Sequence, residues 1–465
     1  MWDLLSISSQ FAKLDLPPYK ENGLTIKYLH SAATKPATVY GGKEPILPFA
    51  ESELVQAEIA TWRRLSAESG DCKAVYEVTL DTKDRNLKFR PGDTVGVLPQ
   101  NTATEVDFLL EHLELTSKAD VQYELTVDKA VKGAKIPPHI PVQSSLRHVL
   151  THCVDVRGVV KKLFLLALSQ HTGNEDEKKV LQYLCSKDGS AAYNSHILQK
   201  NTCLIDLLQT FKACRPPIEV ILANVGRLLP RPYSIVNRQT DKSMLKICFS
   251  VIQLENNRKG LTTGGLESMI LKKTSIEEGL KNLSLNEGGF GRVSIYLRKN
   301  MNGFALPEDP EKPLLLIGPG TGVAPFIGFL EERQAQKEEK STLKLGDVWL
   351  FFGCRNPKLD FLYEHELNEF VEKGCLTRLS TAFSRIENDG VKYVQHAITR
   401  DGKEIAKFIK NAHIFVCGDL ESMASQVRDS IKQCLVLHDG NTEEEADRFI
   451  TQMEKDKRYI VDIWS

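Results

Sequence analysis

The sequence predicts a multidomain α/β protein: an antiparallel β domain interrupted by an all-helical block, then a doubly wound parallel-sheet domain. Three observations predict it. Stretches such as "AVYEVTLD" and "LKICFSVIQL" alternate apolar and polar residues with period two. Between them, "EVDFLLEHLEL", "KKLFLLALSQ" and "EKKVLQYLCS" place apolar residues at three- and four-residue steps, the helical spacing. After residue 303, short apolar runs alternate with helical stretches, which implies βαβ units and a parallel sheet.

Taken in order, residues 1–50 are poor in periodicity and read as a flexible linker or arm. Residues 51–117 and 226–302 carry the strand signals, with "PGD" as a turn between apolar runs. Residues 118–225 are the helical insert. Residues 303–465 begin with the strand "KPLLLIGPG" and the helix "APFIGFLEERQAQ", and the alternation continues through "DVWLFFGCRN", "LTRLSTAFSR" and "AHIFVCGD".

Composition narrows the function. With 42% hydrophobic and 26% charged residues, the 465-residue chain has an ordinary globular balance and ample length for several cores. Sixty basic side chains against 61 acidic ones give no global attraction for nucleic acid or an anionic membrane. No apolar run is long enough to span a bilayer. The ten cysteines are dispersed, without C-x-x-C pairs or a nearby histidine set, so no metal site is expected. Dispersed thiols suit a reducing compartment, and a cytoplasmic location is expected.

Parallel sheets bind ligands at the carboxyl ends of their strands. There the chain offers "GPGTGVAP", whose Gly320, Thr321 and Gly322 let the backbone approach a pyrophosphate at a helix amino terminus. Ser384 and Arg385 combine a hydroxyl with a guanidinium, a pair suited to a phosphate monoester. Lys392, Tyr393 and Gln395 in "VKYVQ" add a cation, a ring and an amide. Together they favour an adenosine 2′-phosphate and therefore NADPH over NADH. Cys417 reads equally as a small buried hydrophobe or as a reaction-site thiol, and Asp462 as an exposed carboxylate or a site group. In the β domain, "RPYS" supplies Arg231 as a phosphate fork, Tyr233 as a stacking surface and Ser234 as a hydroxyl. "KGLTTGG" reads as a second pyrophosphate cradle. Two phosphate sites in two domains suggest two dinucleotides face to face, the layout of a flavin reductase.

These motifs, with "FFGCRN", "VCGD" and the terminal "DIWS", occur in the order found in the diflavin reductases, and the chain resembles that family from about residue 50 to its end. Within it, "LPPY", "PPHIP", "LCSKDGSAAY" and the proline of "RPYS" are most similar to the methionine synthase reductase branch. The resemblance implies an FAD domain built as an antiparallel barrel, a helical connecting domain and an NADPH domain. It puts Arg231, Pro232, Tyr233, Ser234, Gly260, Leu261, Thr262, Thr263 and Trp464 on FAD. It puts Lys73, Gly320, Thr321, Gly322, Ser384, Arg385, Lys392, Tyr393, Val394 and Gln395 on NADPH. Ser234, Cys417, Asp462 and Trp464 would surround the path of a hydride from NADPH to the flavin, with the Trp464 indole covering the flavin face until nicotinamide displaces it. The sequence departs from the family at Val391, Gly265 and Gln426. The family's amino-terminal flavodoxin-like domain has no counterpart here, so FMN is expected on a missing domain or a separate partner, with methionine synthase as the final acceptor. Rival readings are a cytochrome P450 reductase-like or sulfite reductase-like electron-transfer module and a non-catalytic NADP(H)-binding or chaperone module.

Overall fold

The computed structural model describes residues 2–6, 8, 11, 14–29, 47–83, 85, 87–240, 243–254, 258–280, 292–340, 342–386, 390–418 and 421–463. The chain divides into two units, one of Met1–Leu47 with Pro99–Leu229 and one of Pro48–Leu98 with Pro230–Ser465.

Helices dominate the first unit, among them Ala103–His112, Lys162–Ser169, Glu175–Cys185 and Leu204–Thr210. Their apolar faces meet in a core containing Leu109, Leu165, Leu181 and Leu208. Three expectations are corrected here. The block is not all-helical: Gln122–Val127 is a strand pairing with Gln143–Ser145 and with Leu24–Tyr28. In "QYELTV" the buried Tyr123 and Leu125 alternate with less buried neighbours, the pattern of a strand with one covered face. The same sheet ties down Leu24–Tyr28, which the sequence reading had left in a loose arm. Helix Ala103–His112, placed by sequence in the β domain, packs Val106, Leu109 and Leu110 into this core instead.

The second unit holds two sheets. The antiparallel one runs in the order Arg231–Ser234, Thr94–Val97, Arg292–Arg298, Val55–Arg64, Val75–Asp81, Met244–Ser250. A bridge between Ile235 and Ile247 joins its two edges, so the sheet closes into a barrel around Val78, Val95, Ile247 and Ile295. The other sheet has five parallel strands in the order Arg378–Phe383, Val348–Cys354, Leu314–Ile317, His413–Gly418, Tyr459–Ile463. Its first strand in the chain lies at the centre. Leu314 and Leu316 face one core, while Leu315 and Ile317 face another, so both faces are covered. The strand order reverses beside Leu314–Ile317, and that is where such sheets bind ligands.

Barrel and parallel sheet are locked together within this unit. Arg63 donates to the buried Glu77 at 2.9 Å, pairs with Glu366 at 2.5 Å and lies over the Tyr363 ring. Without Arg63, the cation left beside Glu77 among the described residues is Lys246, 3.8 Å away. Arg63→Met is therefore expected to cost about 2–3 kcal/mol, as for a buried carboxylate stripped of its partner. A urea midpoint unchanged from wild type would contradict this.

None of the ten cysteines forms a disulfide. Among the described residues no helix is long and apolar enough to cross a membrane, and no cluster of three or more His, Cys, Asp or Glu is arranged to hold a metal.

Candidate functional site

"RPYS" forms the barrel's edge strand, paired with Thr94–Val97 so that Thr94 opposes Ser234 and Val97 opposes Arg231. Strand alternation divides the motif: Arg231 and Tyr233 face one side, Pro232 and Ser234 the other. Tyr233 packs edge-on against Phe249, and burial pushes its phenol up to about 12 against the opposing pull of Arg231. It is a neutral ring with a hydroxyl tip.

The "GLTT" motif is not a loop. Leu261 opens a 20-residue helix, Leu261–Leu280, immediately after Gly260. Thr263 Oγ1 accepts the Ile252 N–H at 3.2 Å and so holds the turn. Thr262 differs: its hydroxyl is buried beside the Tyr233 phenol. A buried hydroxyl in the first turn of a long helix suits an anion.

In the parallel sheet, "GPGTG" leaves strand Leu314–Ile317 and tightens into a single turn, Gly320–Val323, before helix Ala324–Glu339. Gly322 lies against the neighbouring strand: a Cβ there would meet the Cys417 carbonyl oxygen at 2.2 Å. Only glycine allows this approach. Cys417 is fully buried, and burial, reinforced by the Asp462 charge, holds its thiol well above the ordinary range. Cys417 is thus the small buried core residue of the first reading, with Ser234 and Asp462 as neighbours. Asp462 is the register partner of Cys417, and Ser234 Oγ donates to Asp462 Oδ2 at 3.5 Å. Asp462 is not an exposed carboxylate. Burial raises its pKa, while Arg298 and the Ser234 hydroxyl draw it back. Ser234 and Asp462 line a cavity of about 470 Å³ together with Thr94, Pro232 and Arg298. Trp464 lies outside the described residues.

At the other strand ends, Ser384 N–H donates to Cys354 O and Arg385 N–H to Arg355 O, at 3.0 and 2.9 Å, which extends two strands side by side. Their guanidinium groups converge on Asp71, at 3.5 Å from Arg355 and 3.7 Å from Arg385. Lys73 is exposed two residues further along. Sequence reading missed Arg355 and Asp71; the strand-end position of "FFGCRN" was the available signal for Arg355. Lys392 and Tyr393 are exposed, with the Tyr393 ring edge-on to His396. One expected contact is corrected. Val394 is buried in the core beside Gly353 and does not face the strand ends. Gln395 donates to Gln426 at 2.7 Å, which uses one of its two N–H donors.

The FAD binding domain family matches residues 47–269, and the oxidoreductase NAD-binding domain family matches residues 316–429. Methionine synthase reductase of Mus musculus is 37% identical over 411 residues, covering 84% of this chain and 59% of the relative. The Homo sapiens protein of that name is 36% identical over 412 residues, covering 84% and 58%. NADPH–cytochrome P450 reductase of Musca domestica is 30% identical over 423 residues, covering 90% and 59%. The chain thus spans just under three fifths of the length of these relatives.

Proposed function

The chain belongs to the diflavin reductase family, as an FAD- and NAD-binding module, and from that premise we propose that it reduces FAD with NADPH and passes the electrons to an FMN-bearing partner. One observation carries the reading. Ser234 from the barrel and Asp462 from the edge strand of the parallel sheet meet at one cavity that both line, and Cys417 is the register neighbour of Asp462.

The residues present fit FAD. Arg231, Gly260, Leu261, Thr262 and Thr263 would hold its pyrophosphate, with the buried Thr262 hydroxyl in the first turn of the helix, and Tyr233 would pack on the ring system. FAD, when bound, supplies a two-electron acceptor that can release its electrons singly. NADPH would lie on Gly320, Thr321 and Gly322. Its 2′-phosphate would meet Ser384, Arg385, Lys392 and Tyr393, with Lys73 and Gln395 alongside and Val394 behind. Ser234 offers a hydroxyl at the reacting end. Cys417 fills space without charge and excludes water. Asp462 would offer a carboxylate beside the nicotinamide, a charge that favours the oxidised, positively charged ring. Trp464 would cover the flavin face.

The test is an anaerobic titration of the FAD-loaded protein with NADPH and with NADH, following the flavin's visible band. NADPH is expected to bleach it at much lower concentration than NADH. Arg385→Ala should raise the NADPH requirement on the order of tenfold to a hundredfold, the loss of one charge-assisted phosphate contact, and leave NADH unchanged. No flavin retained, or no bleaching by either nucleotide, would overturn the proposal and revive a non-catalytic nucleotide-binding module.

The relatives' names support methionine synthase as the final acceptor, reached through an FMN domain or a flavodoxin-type protein. Supplying the reduced module with an FMN domain and methionine synthase, or with a cytochrome P450, separates this reading from the P450 reductase-like one.

A further inference from the structure

We propose that Arg298 is a positioning residue of the hydride site, the counter-charge that keeps Asp462 an anion within the cavity both of them line. The inference rests on the reading of Ser234 and Asp462 as that site.

It begins with sheet register. Thr94 pairs with Ser234 on one side and with Arg298 on the other. Directly opposed residues of antiparallel strands present their side chains on the same face. Ser234, Thr94 and Arg298 therefore form one row across three strands, and all three line the cavity with Asp462. Asp462 enters this row from the parallel sheet and accepts the Ser234 hydroxyl.

Arg298 is held in place. The Phe49 ring lies over its guanidinium, 5.6 Å from the ring centroid to the guanidinium carbon. Phe49 is itself fixed: its carbonyl accepts the Lys299 N–H at 2.7 Å, Ala50 bridges Arg298, and the Tyr296 hydroxyl donates to Pro48 O at 3.0 Å. Phe49 adopts φ +55°, a conformation that costs a residue with a side chain and persists where its surroundings impose it. Phe49 is nevertheless 56% exposed, so burial does not hold it there; its backbone bonds do, and they leave the ring over Arg298.

Among the described residues, the charged and titratable groups around Asp462 are few. Cys417 is a protonated thiol, Ser234 is neutral, and the cations lining the cavity are Arg298 and Lys299. Burial favours the protonated carboxyl, and Arg298 opposes it. A guanidinium suits this position because it does not lose its proton on partial burial.

The purified full chain, labelled with 13C at aspartate carboxyls, is titrated by NMR, with Asp462→Asn assigning the signal. This readout needs neither flavin nor nucleotide. Arg298→Met is expected to raise the Asp462 midpoint by about one pH unit or more, Arg298→Lys to restore most of it, and Lys299→Met to leave it in place. In FAD-loaded protein, hydride transfer by Arg298→Met should be slowed at neutral pH and recover as pH rises, since the ionised carboxylate is the working form. Should Arg298→Met not fold, Arg298→Gln carries the same expectation. An unshifted midpoint, or equal shifts in the Arg298 and Lys299 variants, overturns the proposal. A shifted midpoint with an unchanged pH profile overturns the hydride-site reading beneath it.

Discussion

Gly322→Val is expected to destabilise the parallel-sheet domain by about 3 kcal/mol or more, the upper range for overpacking, and to abolish nucleotide binding. The Cβ would stand 2.2 Å from the Cys417 carbonyl oxygen, 2.9 Å from its carbon and 3.2 Å from Gly418 Cα. All three are backbone atoms of a central strand, so no rotamer change relieves the clash and the strand or the turn must move. His413–Gly418 is paired on both sides, with Leu314–Ile317 and Tyr459–Ile463, and moving it disturbs both ladders. Displacing the turn instead removes Gly320 and Thr321 from the strand ends where a pyrophosphate would sit. Gly265→Ala is the control. A Cβ at that helical position meets nothing within 4 Å, and the substitution should stabilise by about 0.5–1 kcal/mol through helix propensity. Thermal or urea unfolding checks both, and a Gly322→Val protein as stable as wild type would show that the close approach is dispensable.

The same sheet shows what a sequence makes legible. Its strands are "LLLI", "VWLFFGC" and "HIFVCG", continuous apolar runs because both faces are covered. Such runs stop at or just before a glycine, cysteine or polar residue, so Cys417, and Ser384 and Arg385 after Arg378–Phe383, stand out at strand ends. Asp462 does not: the sequence reads it equally as an exposed carboxylate or a site group. What pairs with what is another matter. Leu24–Tyr28 gives too short a signal to distinguish from an extended arm until its partner Gln122–Val127, far away in the chain, is known. Arg298 reads as one more basic residue ending a strand, and only the pairing of Thr94 on both sides aligns it with Ser234. Asp71 lies in a loop whose sequence says nothing of the arginines it meets. Local pattern determines elements and their ends, whereas non-local register determines the neighbours of a catalytic group.

Asp462→Asn is expected to slow hydride transfer from NADPH on the order of a hundredfold, the scale for removing one preorganised electrostatic group from a water-excluded site. The substitution preserves shape and can still accept from Ser234, whose hydroxyl is 3.5 Å from Asp462 Oδ2. It removes only the charge. The stability of the protein should move the other way. Burial raises the Asp462 pKa in the folded chain, so between the ordinary carboxyl value and that raised value the native state binds the extra proton. Stability then falls as pH rises through this window, and above it the ionised carboxylate imposes its full desolvation cost. Asparagine carries no such cost. At neutral pH Asp462→Asn should therefore be as stable as wild type or more so, with the difference vanishing below the ordinary carboxyl range. A slow variant that is also less stable at neutral pH would mean that Asp462 holds the strand together, and the loss of rate would follow from misfolding. A variant that is stable and slow leaves the charge as the cause: a carboxylate kept ionised at a cost to the fold, on the strand that pairs with Cys417 and faces Ser234.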